Sequence, residues 1–397
     1  MAPEPLRVVI AGGGVAGLEA LLALRALAGE RVELTLAAPQ PDFVYRPLAV
    51  AQPFALGSPR RTPLTAATDD TGAEFVQAGV TAVDTQARTA ELDDGRRLRY
   101  DALVLATGAD AEPAFVHAMT WTDRSGVDAV SGLMRDLEEG YSGSLAIVIP
   151  SGPGWPLPGY ELALLMTRQA CGMAMEPRVT LITPEQAPLA VFGPRASEAV
   201  RTELDEAGVQ LEAGAYAEVE RGAVTVRPSG RRITADRIVA LPRLRGRAPK
   251  GVPAGPEGFI AVDDHGRVVG AEHVWAAGDG IDFPVKFGGL AAAQADAAAA
   301  DIAADAGAPV EREPFRPVLR GRLLTGRREQ YLRFDAGGGA GEGETAPHPL
   351  WWPPSKIAGR WLAPWLAARD GDAVAEQLPE VGGMHVQTDL FRSVFAT

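Results

Sequence analysis

The sequence of 397 residues contains one cysteine, Cys171, and the lack of a second is its most restrictive feature. No intramolecular disulfide can form, so no dithiol pair within this polypeptide can carry electrons. Lysine is almost as scarce. Lys250, Lys286 and Lys356 leave 35 of the 38 basic residues as arginine, a compositional drift that makes each remaining lysine informative. A net charge of −13, from 51 acids against 38 bases, disfavours nucleic acid, whose phosphates require a basic face. No apolar run approaches the roughly 20 residues of a membrane span. The chain enters a strand by Leu6 with no charged-then-apolar export segment, so the expected address is the cytoplasm. The histidines His117, His265, His273, His348 and His385 are scattered, and with one cysteine they suggest no zinc site. There is no GxSxG elbow and no P-loop.

What is present is a chain of two to three domains' length, 46% apolar and 22% charged, the balance of a globular protein with large cores. Leu6 to Ala11 reads as a short buried strand, followed by Gly12-Gly13-Gly14-Val15-Ala16-Gly17 and a helix through Leu27. A second strand, Val32 to Leu36, completes a βαβ unit of the length a dinucleotide fold needs. Each glycine has a physical task. Gly12 permits the tight turn, Gly14 lets backbone N–H groups approach a pyrophosphate at the positive helix end, and Gly17 allows close packing of helix on strand. An acid normally ends the second strand to bind the adenosine ribose. Here the chain offers Ala37-Ala38-Pro39-Gln40, so Gln40 is the candidate substitute and a solvated loop residue is the alternative.

The same grammar restarts at Leu145, with a strand to Ile149, a glycine- and proline-rich turn through Gly159, a helix from Tyr160 to about Ala170, and the strand Val179 to Ile182. This is an internal repeat of one nucleotide-binding design. Between the two units, Glu74 to Leu98 forms short turn-punctuated strands that lead to Tyr100-Asp101 and Ala106-Thr107-Gly108. After the second unit come Ala277-Gly278-Asp279 and an alanine-rich helix from about Gly289 to Ala306.

These four signals, taken in order over roughly residues 6 to 300, resemble the two-dinucleotide-domain flavoprotein family that includes type II NADH dehydrogenases and sulfide:quinone reductases. The resemblance implies an α/β fold of two Rossmann-like, three-layer FAD/NAD(P)-binding domains, the first discontinuous, with a C-terminal cap. The boundaries expected are 1–112 and 249–312 for the FAD domain, 113–248 for the NAD(P)-like domain and 313–397 for the cap. It further implies FAD as cofactor, with NAD(P)H as a co-substrate. The implied cofactor-binding set is Gly12, Gly14, Val15, Ala16, Gly17, Gln40, Arg46, Thr107, Gly108, Gly278, Asp279, Gly289 and Leu290, with Asp279 on the ribityl–phosphate region. Lys286, in Phe283 to Leu290, resembles the lysine of the sulfide:quinone branch. An ammonium there, with a helix N-terminus, would stabilise the negative charge of reduced flavin. Glu161 matches the glutamate that type II NADH dehydrogenases place near the flavin; the alternative is a helix-start acid stabilised by the macrodipole.

The second turn departs from the family pattern. Two residues are inserted before its third glycine, and its prolines remove N–H donors that would hold a pyrophosphate. Glu185 could bind an NADH ribose. Counting back from Tyr160-Glu161, the reactive cysteine of sulfide:quinone reductases falls on Trp155, and Cys171 matches no redox position. Electrons would therefore pass through the flavin alone, from a reduced donor to a quinone or similar acceptor. The alternatives are direct oxidation of a small organic donor and a flavin-holding protein without turnover. Residues 350 to 369 hold four of the seven tryptophans, three bases and no acid. With Ile357, Trp361 and Trp365 at four-residue spacing, this tail reads as an amphipathic element meeting a membrane or a quinone. It reads equally as core covering the flavin domain or as a homodimer interface, with Pro364 breaking the helix.

Overall fold

A computed structural model describes residues 4–124, 126–336 and 341–369. His385 and the end of the expected cap, 370–397, lie outside the described residues. Seven α-helices are seen among them: α1 (Val15–Ala28), α2 (Leu64–Thr71), α3 (Gly126–Glu138), α4 (Leu157–Gly172), α5 (Pro194–Ala207), α6 (Gly288–Asp305) and α7 (Leu362–Arg369).

Two five-stranded parallel sheets carry the architecture. The first runs Val274–Ala276, Ala102–Leu105, Leu6–Ala11, Val32–Ala37, Glu74–Val76. The second runs Met119–Thr120, Arg237–Ala240, Ser144–Val148, Arg178–Ile182, Gln210–Glu212. Interior strands of both sheets are buried along their whole length and almost entirely apolar, as strands covered on both faces must be: Ala102–Leu105 and Ser144–Val148 are fully buried, with Ser144 the one polar residue. The first domain is discontinuous, because Val274–Ala276 returns after the whole second domain to pair with Ala102–Leu105. An antiparallel pair, Ala109–Glu112 against Arg243–Gly246, carries the chain out to the second domain and back. The antiparallel sheet Val318–Leu323, Gln330–Asp335, Glu344–Ala346 follows α6.

In the tail, Ile357, Trp361 and Trp365 are buried, the two tryptophans in the core of the first domain beside α1 and α6. The amphipathic face expected to meet a membrane is thus spent on the protein's own core. Pro364 does not break α7. It lies in the first turn, where its missing N–H would have had no partner. No described helix is long and apolar enough to cross a membrane.

The tail is fastened by an acid. Glu19 on α1 is fully buried and accepts the N–H groups of Trp361 (2.7 Å) and Leu362 (2.8 Å), capping α7. Asp296 on α6 lies against it, and burial pushes Glu19 up to about 7 and Asp296 well above the carboxylate range. Two carboxyls in one buried site favour retaining a shared proton, because desolvation and the first negative charge both oppose the second ionisation, with Arg360 the cation that counters them. The folded state therefore holds more protons than the unfolded chain between the ordinary carboxylate range and about pH 7, and stability falls as pH rises through that window. Asp296→Asn should match the wild type in melting temperature at pH 4 and exceed it by several degrees at pH 8. Equal melting temperatures at both pH values would contradict the shared proton.

Candidate functional site

One cavity of 1410 Å³ lies between the two domains and is walled by both glycine turns and by the C-terminal sheet. At one end stands the first turn. Gly12 has φ +121°, and a Cβ there would drive into the Ala106 carbonyl; a Cβ on Gly17 would drive into the carbonyl of Gly12. Gly14 faces open space, since a Cβ there would meet nothing within 4 Å. Gly12, Gly14, Val15 and Ala16 line the cavity, and Gly17 acts behind them in packing. Helix α1 starts with no side-chain cap and no acid in its first turn. Its free N–H groups open on the cavity, as a bound pyrophosphate requires.

The other cofactor candidates divide. Gln40, Arg46, Thr107, Gly108, Gly278 and Asp279 line the cavity. Asp279 has no hydrogen-bond donor among the described residues, and burial raises its pKa while Lys286 opposes the rise. Its carboxylate is thus open to a ribityl hydroxyl. Burial lowers the pKa of Arg46, with Arg61, Arg124 and Arg247 crowding it and Asp123 at 3.6 Å countering them. That cationic cluster suits a dianionic diphosphate. Gly289 and Leu290 do not reach the wall. A Cβ on Gly289 would press on the Phe287 ring at 2.7 Å and Leu290 is buried, while Gly288 and Ala291 of the same helix face the cavity. Helix α6 also begins uncapped and without an acid. The residues present therefore fit FAD.

Lys286 sits elsewhere than the sequence suggests. Its ammonium donates to the Ile281 carbonyl and lies 4.1 Å from the Phe259 ring centre, and it is absent from the cavity wall. Val285 bridges Gly154 in an extended pairing, so side chains alternate, with Val285 and Phe287 toward the cavity and Lys286 away. Burial lowers its pKa to about 8, against the attraction of Asp279.

The ammonium that does line the cavity belongs to Lys356. It donates to Glu161 Oε1 at 2.5 Å, and Glu161 Oε1 also accepts the Leu324 N–H at 2.9 Å. Glu161 Oε2 is buried without a partner among the described residues. Burial raises the Glu161 pKa and lowers that of Lys356, and each partner opposes the other's shift. Two hydrogen bonds aim the lysine. Its backbone N–H donates to the Tyr45 hydroxyl at 2.9 Å, and Nζ also donates to the Pro47 carbonyl at 3.3 Å. The chain's scarcity of lysine was the one available signal for it.

The second turn is fastened to the first domain. Gly154 N–H donates to the Pro284 carbonyl and Lys286 N–H donates to the Gly154 carbonyl, both at 3.0 Å. Trp155 stacks on Phe287 with ring centres 4.4 Å apart and meets Phe192 edge-on at 5.7 Å. Glu185 lines the cavity just past the strand Arg178–Ile182 and accepts the Tyr160 hydroxyl at 2.8 Å, while its Oε1 is buried without a hydrogen-bond partner among the described residues. Cys171 is exposed near the far end of α4 and does not line the cavity.

Comparison with known proteins agrees with this anatomy. Residues 6–301 match the pyridine nucleotide-disulphide oxidoreductase family. The ferredoxin reductase component of chlorobenzene dioxygenase from Cupriavidus sp. (strain PS12) is 30% identical over 71% of this chain and 68% of its own. An NADH dehydrogenase-like protein of Mycobacterium tuberculosis (strain ATCC 25618 / H37Rv) is 31% identical over 69% of this chain and 72% of its own. The fold resembles the sulfide:quinone oxidoreductase of Aquifex aeolicus, with TM-score 0.75 and 19% identity over 86% of each chain.

Proposed function

The chain belongs to the pyridine nucleotide-disulphide oxidoreductase family, and from that premise we propose that it passes electrons from NAD(P)H through FAD to a quinone-type acceptor without a cysteine relay. It is an FAD-dependent oxidoreductase; the donor, the acceptor and the cysteine-free route are the proposal. The supporting observation is the continuity of the cavity, which joins the first glycine turn to Glu185 and to the Glu161–Lys356 pair, with Trp155 in the place of a reactive thiol.

Bound there, FAD supplies a two-electron carrier between a hydride donor and an acceptor. The chain's residues do the rest. The uncapped start of α1 and the arginines around Arg46 hold the diphosphate, and Asp279 fixes the ribityl chain. Glu185 Oε1 offers an acceptor to a ribose hydroxyl. Glu161 Oε2 is the atom placed to receive a proton and Lys356 Nζ the atom placed to deliver one. Opposite shifts bring their proton affinities closer, which suits exchange between them.

The test is anaerobic mixing of the FAD-loaded protein with NADH and with NADPH. Bleaching of the visible flavin band within seconds, and its return on adding a short-chain quinone, are the expected results. A protein that stays yellow with both nucleotides removes the nicotinamide donor. One observation favours that second reading, direct oxidation of a small organic donor: the prolines of the second turn lack N–H groups and the Gly154 N–H is already used.

A further inference from the structure

The C-terminal sheet contributes a charge to the cavity that the mechanism above leaves unused. In the strand Val318–Leu323, Leu319, Gly321 and Leu323 are buried, which turns Arg320 and Arg322 to the opposite face, and both line the cavity. Arg322 is fully engaged, with both Glu329 oxygens at 2.7 and 2.6 Å and the Pro354 carbonyl at 3.1 Å. Lys356 is neutralised by Glu161. Arg320 has no ion-pair or hydrogen-bond partner among the described residues, and the residue opposite it across the sheet is another cation, Arg333. Asp335 attracts Arg320 without an ion pair or hydrogen bond to it. Of the three cations on this wall, Arg322 and Lys356 are thus held by Glu329 and Glu161, while Arg320 lines the cavity with no carboxylate in direct contact among the described residues.

The cavity that Arg320 lines also has an aromatic wall. Trp155 and Phe287 both line it, stacked with ring centres 4.4 Å apart. A guanidinium and flat apolar rings lining one cavity match a planar conjugated molecule with an anionic oxygen group, because the fork of Arg binds carboxylate or sulfonate while the rings cover its apolar body. We propose that this wall is a substrate subsite for a small aromatic compound bearing a carboxylate or sulfonate, with Arg320 selecting for the charge. The inference rests on the electron-transfer reading and narrows it, since it gives the class of molecule that approaches the flavin from this side.

The test bypasses the nicotinamide. FAD-loaded enzyme is reduced with stoichiometric dithionite and reoxidised by naphthoquinone or by its sulfonate; two electrons and two protons pass to the quinone, giving the hydroquinone and restoring oxidised FAD. The sulfonate-to-neutral rate ratio in the wild type, divided by that in Arg320→Gln, cancels the probes' intrinsic reactivities. A quotient of at least about tenfold is expected, the scale of one charge-assisted hydrogen bond. Calorimetry on the oxidised enzyme should show naphthalene carboxylate binding more tightly than naphthamide by a similar factor. That preference should vanish in Arg320→Gln and partly return in Arg320→Lys. The substitution breaks no bond seen in the structure, so melting temperature should not move. A quotient near one, unchanged binding preference, or an effect of Arg320→Gln confined to the KM for NADH would overturn the subsite. Charge selection in an enzyme that NADH cannot reduce would keep the subsite and remove only the nicotinamide donor.

Discussion

Gly14→Val should give a protein that folds and melts as the wild type without cofactor, yet purifies without FAD. Gly17→Val, three residues away, should give little folded protein. The difference follows from what each new side chain meets. At Gly14 the added carbon enters open cavity, and its backbone is extended, which any residue tolerates. What it excludes is the diphosphate from the first N–H groups of α1. Losing two or three charge-assisted hydrogen bonds lowers FAD affinity by about a hundredfold or more. At Gly17 the added carbon collides with the Gly12 carbonyl, so helix and strand must separate at a cost of about 3 kcal/mol or more. Flavin absorbance per protein, read beside a melt of the stripped protein, separates the two. Retention of FAD by Gly14→Val would place the diphosphate somewhere other than this turn.

The second large effect is expected at the lysine. The side chains of Glu161 and Lys356 are only 1% and 5% exposed, so Lys356→Met leaves a carboxylate in a dry site with the Leu324 N–H as its one donor. Breaking one partner of a buried pair costs about 3–5 kcal/mol, whereas removing both charges is often close to neutral. The double variant Glu161→Gln, Lys356→Met should therefore recover most of the stability, though not the turnover. The pH dependence has a definite sign. Without the lysine, the burial that already raises the Glu161 pKa acts unopposed by that charge, so the folded state retains a proton that the unfolded chain releases. The deficit should grow as pH rises above the ordinary carboxylate range and shrink as pH falls into it. Urea unfolding at pH 5 and pH 8 reads this directly, and a single variant as stable as the wild type at pH 8 would refute the burial of the pair.

How much of this was legible in the sequence depended on whether the partners were neighbours in the chain. The turn from Gly12 to Gly17 could be read because its strand, glycines and helix are contiguous, and Asp279 could be placed at the cavity because it follows closely on the short apolar strand Val274–Ala276. The repeat beginning near Leu145 was readable for the same reason. Nothing local announces that Glu161 meets Lys356, 195 residues on, or that Glu19 caps a helix beginning at Leu362. The tail shows the limit differently. Four-residue spacing of Ile357, Trp361 and Trp365 establishes an apolar face but not what covers it, and the cover is the chain's own helices. Lys286 is an error of parity: in an extended segment one position decides the side, and the pairing of Val285 with Gly154 is invisible until both domains are assembled.

The two hydrogen bonds that join Gly154 to Pro284 and Lys286 mean that the second glycine turn cannot be rearranged without loading the segment of the first domain that leads into α6. On the proposed reading, in which each turn holds a dinucleotide, the two sites would share a coupling free energy. Any dinucleotide that shifts the second turn and thereby changes the affinity for FAD must have its own affinity changed by FAD by the same factor. Nucleotide titrations of the flavin-free and flavin-loaded protein would measure that factor from one side, and FAD titrations with and without nucleotide from the other.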